Sequence, residues 1–121
     1  MEKRKYDLVD RLVEFVILIS EVLEKLPNSK LGVYLEGQMI RSAGSSALHY
    51  GEAQSAESPA DFIHKIKVVM KELRETNIGL KIIDKKKMLK DSNILRKALK
   101  EIDELLAIFS KSIETAKKNA K

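Results

Sequence analysis

The chain has 121 residues, no cysteine and a formal net charge of +5. A chain of this length is typical of one domain with one hydrophobic core, so we expect a single domain over residues 1–121. The absence of cysteine excludes disulfides and thiolate chemistry, and no apolar run is long enough for a signal peptide or a membrane span. We therefore expect a soluble cytoplasmic protein that does not enter a membrane.

The first predicted helix spans about residues 5–26. Leu12, Phe15 and Ile19 belong to a row of apolar residues spaced alternately three and four apart, which is the helical period. A second apolar stripe lies beside this row, although the core of a four-helix bundle covers only one stripe of each helix. We therefore expect another subunit to cover the second stripe. The residues expected at this oligomer interface are Val9, Val13, Val16 and Ile17.

The second predicted helix spans about residues 30–54 and is rich in small residues. Gly37, Gly44 and Gly51 recur every seven residues, so they lie near one stripe of the helix. Each glycine costs about 1 kcal/mol against alanine in a helix interior. The pattern favours a neighbouring helix backbone packed closely on this stripe, and a bend in the helix is the alternative.

The third helix is predicted from a strong start signal, Ser58-Pro59-Ala60-Asp61. Serine at the N-cap, proline at the first helical position and an acid two residues later begin helices. The stretch before Pro59 is therefore a tight joint and not a ligand loop. The third helix is predicted over 59–86 and the fourth over about 92–118. Four helices with short connectors predict an all-α, up-down-up-down antiparallel four-helix bundle.

Positive charge is concentrated in residues 81–100, where eight cations against Asp84 and Asp91 give +6. One interpretation is a solvated turn whose cations complement a helix C-terminus. The other is contact with the phosphates of RNA or DNA. No aromatic residue lies among these cations, which argues against base stacking at this segment. The candidate nucleic-acid-binding residues are Lys81, Lys85, Lys86, Lys87, Lys90, Arg96, Lys97 and Lys100.

A second group of polar residues is shared by the second and third helices. It is either a solvated surface with i,i+4 ion pairs or a polar network that crosses between helices or subunits. The candidate network residues are Gln38, Arg41, Glu52, Lys65, Lys71, Glu72 and Glu75, with Arg74 beside them.

Neither histidine fits the metal motif of bundle proteins, which needs a glutamate three residues before each histidine. Ser46 precedes His49 and Asp61 precedes His64 at that spacing. We expect no enzyme activity, no metal and no cofactor. A polar or metal pocket built on His49, Glu52, Asp61 and His64 is the least favoured alternative.

Four segments resemble one known family. The sequence QMIRSAGS at 38–45 resembles its Q-x-x-R-S-x-x-S segment, and HYGEAQSAESPADFIHK, KELRET and ELLAIFSKSIETAK resemble three later segments in the same order. This is the four-helix bundle family encoded by intervening sequences of bacterial 23S ribosomal RNA genes, and the resemblance covers about residues 35–118. His49 stands where that family usually has asparagine.

The resemblance implies a ring-like homopentamer of largely unassigned role with no established enzymatic activity. It also implies similarity to the accessory protein of diversity-generating retroelements, which works with a reverse transcriptase and binds nucleic acid. We therefore expect a non-enzymatic oligomeric bundle that binds nucleic acid or a ribonucleoprotein through its basic surface. A protein–protein scaffold whose partner covers the first helix is the alternative.

Overall fold

The predicted all-α four-helix bundle is confirmed. The computed structural model describes residues 7–120, and within them the helices are α1 (Leu8–Glu24), α2 (Lys30–Ala53), α3 (Pro59–Lys86) and α4 (Asn93–Asn119). Each helix packs against the helices before and after it, and α1 also packs against α4. The bundle is therefore closed, with antiparallel neighbours joined by short connectors. No helix among residues 7–120 is both long and apolar enough to cross a membrane.

Local hydrogen bonds explain where α1 begins and ends. Asp7 has an extended backbone, and its carboxylate accepts a hydrogen bond from the Val9 amide at 3.0 Å. The helix therefore begins after this cap, at Leu8, and the predicted start at residue 5 lies outside the described residues. At the other end, the amides of Lys25 and Leu26 bond to carbonyls three residues back. This tighter turn ends the regular helix at Glu24, two residues before the predicted end.

The start of α3 has the predicted cap. The Ser58 hydroxyl accepts a hydrogen bond from the Asp61 amide at 3.0 Å, and Pro59 occupies the first turn. The Asp61 carboxylate in turn accepts from the Glu57 amide at 3.1 Å. These bonds satisfy backbone donors that a helix start leaves without partners. The stretch before Pro59 is a short structural joint, as the sequence predicted.

The apolar row of α1 that contains Leu12, Phe15 and Ile19 is buried in the core as predicted, and α2, α3 and α4 supply the rest of the core. In α4, Ala98 and Leu105 are fully buried, while Leu99 and Leu106 are only partly buried. The fully buried residues of α4 follow one row with alternating spacings of three and four, and Leu99 and Leu106 flank that row. The row consists of Leu95, Ala98, Ile102, Leu105 and Phe109.

The predicted close packing on the glycine stripe is wrong within this chain. A Cβ atom built on Gly37, Gly44 or Gly51 would have no other atom within 4 Å. None of these glycines interrupts α2, which runs continuously from residue 30 to residue 53. The core side of α2 instead carries Leu35 and Met39, so the glycine stripe faces outward. A period of seven places residues on one stripe but does not say which way that stripe faces.

Two other glycines are the ones that permit close approach. A Cβ on Gly32 would overlap the carbonyl oxygen of Pro27, and a Cβ on Gly79 would overlap the side chain of Met39. Gly32 therefore lets the α1–α2 connector fold back over the first turn of α2. Gly79 lets the Met39 side chain lie directly on the α3 backbone.

Candidate nucleic-acid interface

All eight cations predicted to bind nucleic acid are exposed, and all lie at one end of the bundle. This end combines the last turns of α3, the connector to α4 and the first two turns of α4. None of the eight forms an ion pair with any carboxylate among residues 7–120. We call this set the basic end. Its members are Lys81, Lys85, Lys86, Lys87, Lys90, Arg96, Lys97 and Lys100.

The basic end is divided between different faces of the bundle. Lys97 and Lys100 line a groove between α1 and α4 together with the acids Glu14, Glu101 and Glu104. These two lysines therefore lie in a mixed electrostatic environment. Their contribution to the attraction of an anion is reduced accordingly.

A second group of basic residues surrounds the connector between α3 and α4. Lys87, Lys90 and Arg96 line a small cleft over Ile83. Lys87 ends α3 in the left-handed conformation, with φ of 56°. A glycine is common at this position because the left-handed region is costly for other residues. The Lys87 conformation directs the chain sharply into the connector that carries Lys90.

A row of exposed cations on α3 was not predicted as one surface. Lys81 and Lys85 continue a row that begins at Lys67, in the first third of α3, and every member of the row is exposed. Helical periodicity is the signal that finds this row, because the members are three, four or seven residues apart. We call it the α3 cation row. It consists of Lys67, Lys71, Arg74, Lys81 and Lys85.

An aromatic side chain lies beside the α3 cation row. Tyr34 of α2 lines a cleft of about 300 Å³ between α2 and α3, together with Ile78 and Ile82. Residues 81–100 contain no aromatic residue, and Tyr34 is distant from them in the chain. The fold brings Tyr34 to the same cleft as Ile82, which lies between Lys81 and Lys85 in sequence.

The predicted polar network is divided into separate contacts. Arg41 joins α2 to α3, with Nη2 donating to Glu75 at 2.9 Å and Nη1 lying 3.5 Å from Glu72. The hydrogen bond to Glu75 is the main reason that the pKa of Arg41 is raised, with smaller contributions from Glu72. Gln38 lines the same cleft as Arg41 and Glu75. Because Arg41 is exposed, water screens much of this attraction.

The remaining network residues lie apart from Arg41. Glu52 lies near the His49 ring, 3.6 Å from Nδ1, and Lys65 pairs with Asp61 at 3.2 Å. The pKa of Asp61 is lowered, first by the Glu57 amide and then by Lys65. Lys71 is exposed and has no ion pair among residues 7–120.

The alternative pocket is also not assembled. Asp61 is engaged by the helix cap and by Lys65, while His49 approaches only Glu52. Among residues 7–120, no three histidine, aspartate or glutamate side chains are grouped so that they could hold a metal ion.

Two interhelical contacts were not predicted. The Ser42 and Thr76 hydroxyls are fully buried between α2 and α3, 2.6 Å apart. Arg11 of α1 makes a two-pronged contact with Glu101 of α4, at 2.6 and 2.8 Å, and donates to Glu104 at 2.7 Å. The hydrogen bond to Glu101 is the main cause of the raised pKa of Arg11. Sequence spacing cannot reveal such pairs because each joins separate helices.

The candidate oligomer interface is partly exposed. Val13 and Ile17 are 46% and 52% exposed, so this face of α1 is left uncovered within the chain. Val16 packs against the core, and Val9 is half-buried. The core of the bundle therefore covers only part of the second apolar stripe of α1.

Comparison with known proteins places the chain in a defined group. A family model described as "23S rRNA-intervening sequence protein" matches residues 4–111. The fold is similar to a crystal structure of a protein of unknown function from the S23 ribosomal protein family of Bacteroides thetaiotaomicron. That similarity has a TM-score of 0.79 at 24% identity and covers 88% of this chain and 98% of the other. Comparison with curated proteins gave no match.

Proposed function

The chain belongs to the 23S rRNA-intervening sequence protein family, and we propose that it is a non-enzymatic, homo-oligomeric bundle that binds nucleic acid through its basic end. The proposed location is the cytoplasm. The observation that carries this proposal is the concentration of eight exposed cations at one end of the bundle, without ion pairs among residues 7–120. Eight cations against Asp84 and Asp91 leave this segment with a net charge of +6, and a surface with such an excess of positive charge attracts polyanions.

The proposed contacts are with phosphates, so binding should be tolerant of sequence and sensitive to salt. Each neutralised phosphate contributes a slope of about −0.9 on duplex DNA, or about −0.7 on single strands, to the dependence of log affinity on log salt. Phosphates carry no sequence information. The chemistry therefore predicts a strong dependence on ionic strength and similar affinities for unrelated sequences.

The test compares two variants that each lose three lysines from the last part of a helix. The first variant changes Lys85, Lys86 and Lys87 to glutamine and so removes three positive charges from the basic end. The second variant is the control, in which Lys111, Lys117 and Lys118 of α4 are changed to glutamine and the same charge is lost elsewhere. The first variant should flatten the salt slope by about two to three. The second should leave the slope close to that of the wild type. Equal slopes for all three proteins, or no binding of the wild type at low salt, would refute the proposal.

Self-association through α1 is the second part of the proposal. The exposed apolar side chains of Val13 and Ile17 support it, because burying such surface favours association by about 25 cal/mol per Å². A ring-like homopentamer is the proposed form, since the family resemblance implies it. A ring would repeat the basic end around its rim, so weak contacts would strengthen one another through avidity.

Molar mass by light scattering tests this part. Val13→Glu with Ile17→Glu should dissociate the assembly, because two carboxylates would have to be desolvated at the interface. Gln54→Glu with Ser55→Glu makes the same charge change at an exposed joint and should leave the mass unchanged. A monomeric wild type at micromolar concentration would contradict self-association. The exposed α1 face would then favour a scaffold for a different protein.

A further inference from the structure

We propose that the cleft between α2 and α3 binds an unpaired base of single-stranded nucleic acid on the ring of Tyr34, with the strand lying along the α3 cation row. This inference rests on the proposed nucleic-acid function and adds the class of ligand and a residue that contacts a base. It follows from the exposure of Tyr34, the apolar surface beside it and the charge of the row.

Tyr34 differs from the other tyrosine among residues 7–120. Tyr50 is half-buried and packs against Phe109, with ring centroids 5.3 Å apart. Tyr34 is 61% exposed, and it lines the α2–α3 cleft. Its ring therefore has a large open surface on a rigid helix. An aromatic ring held in this way can stack on any base, because every base has a π-face.

Apolar side chains line the cleft beside Tyr34, together with the polar Gln38 and the Arg41–Glu75 pair. Ile78 and Ile82 line the same cleft and are 61% and 36% exposed. Single exposed apolar residues are ordinary, but three that line one cleft form a patch. A flat base placed against the Tyr34 ring would cover part of this patch. Its phosphates would then lie toward the outer face of α3.

The α3 cation row supplies charge of the opposite sign to those phosphates. From Lys67 to Lys85 the row spans about 27 Å at 1.5 Å per residue, and Ile78 occupies the turn between Arg74 and Lys81. No ion pair involves any member of the row among residues 7–120. A backbone that follows the row would therefore pass the cleft at its centre.

Among residues 7–120 the cations of the row have no ion pairs, in part because Arg41 engages two acids of α3. Glu75 is four residues after Lys71, a spacing at which the two would ordinarily pair on a helix. Glu75 instead accepts a hydrogen bond from Arg41 of α2, which also contacts Glu72. The acids of this face are thus engaged toward α2. The lysines remain available to an external anion.

A single strand fits this arrangement better than a duplex. Bases in a duplex are stacked on one another, so only an unpaired base can leave its neighbours and lie on Tyr34. A duplex could still contact the lysines through its phosphates. Stacking therefore predicts that a change at Tyr34 affects single strands selectively.

The first experiment measures binding of the full chain to an oligonucleotide of about a dozen residues, as a single strand and as a duplex. Tyr34→Leu should weaken single-strand binding by about 5- to 150-fold, which corresponds to one stacked base at about 1–3 kcal/mol. It should leave duplex binding and the salt slope unchanged, because no charge is lost. Tyr34→Phe should bind as the wild type does, since it retains the ring.

A second variant reports stacking directly. The chain contains no tryptophan, so Tyr34→Trp places a unique fluorophore in the cleft. Its emission should be quenched by the single strand and much less by the duplex. Changing Lys67, Lys71 and Arg74 to glutamine should flatten the single-strand salt slope by about two. The triple variant at Lys111, Lys117 and Lys118 is the matched control.

The outcomes separate this inference from the proposed function. If the wild type binds neither oligonucleotide at low salt, the proposed function fails. If the wild type binds but Tyr34→Leu binds the single strand equally well, the stacking inference is overturned and phosphate binding survives. If Tyr34→Leu changes the molar mass in light scattering, the cleft is a contact between copies, which also overturns the inference.

Discussion

The buried hydrogen bond between Ser42 and Thr76 allows a quantitative prediction about what holds α2 to α3. The two hydroxyls are 2.6 Å apart, and both residues are almost fully buried. The Thr76 hydroxyl also donates to the Glu72 carbonyl at 3.0 Å, whereas Ser42 has only a long bond of 3.4 Å to the Met39 carbonyl. The most consistent arrangement has Ser42 donating to Thr76 and Thr76 donating to Glu72.

This arrangement predicts unequal costs for the two single changes. In Ser42→Ala, Thr76 keeps its bond to Glu72, so the loss should be that of one neutral hydrogen bond, about 0.5–1.5 kcal/mol. In Thr76→Val, the shape is preserved but Ser42 keeps only its long bond to Met39. A buried polar group left nearly without a partner costs about 1–3 kcal/mol. Thr76→Val should therefore be the more destabilising change.

The double variant tests the coupling between the two residues. Once Thr76 is valine, removing the Ser42 hydroxyl also removes the poorly satisfied donor, so the double variant should be no less stable than Thr76→Val alone. Urea unfolding at one protein concentration gives the four free energies, with unchanged m values as the control for two-state behaviour. Additive costs, or a larger loss from Ser42→Ala than from Thr76→Val, would refute this arrangement of hydrogen bonds.

The remaining predictions concern four single substitutions. Gly44→Ala should raise the free energy of unfolding by about 1 kcal/mol, because helix propensity improves in open space. Gly32→Ala should lower it, since the new methyl group overlaps the Pro27 carbonyl. Thermal unfolding of the two variants should show Tm shifts of opposite sign. A lower Tm for Gly44→Ala would mean that another surface covers the glycine stripe of α2. Ser58→Ala should cost about 0.5–2 kcal/mol through loss of the α3 cap, without selective loss of nucleic-acid binding in the folded protein. The lowered pKa of Asp61 means that its carboxylate stabilises the fold above the unfolded pKa of about 3.9 and that this stability is lost as pH falls through the folded value. Asp61→Asn should therefore weaken the decline of Tm between pH 5 and pH 2 that the wild type shows, and parallel Tm curves would contradict the linkage.

The positions of the helices and much of the core were predictable because they depend on local chemistry. The apolar row of α1 has the helical period, and the Ser58-Pro59-Ala60-Asp61 signal begins a helix through bonds within five residues. Short connectors then leave antiparallel packing as the simple arrangement. The concentration of charge in residues 81–100 was equally visible, since it is a property of composition.

The sequence by itself thus determined the four helices, their antiparallel order and the cluster of positive charge. The tertiary structure decided which way each helix faces and which distant residues meet. It turned Gly37, Gly44 and Gly51 outward, joined Arg41 to Glu75 instead of leaving Glu75 to Lys71, and placed Tyr34 beside the α3 cation row. The physical reason is that helical periodicity fixes the relative angles of residues on one helix, whereas the rotation of that helix against its neighbours depends on the packing of all four.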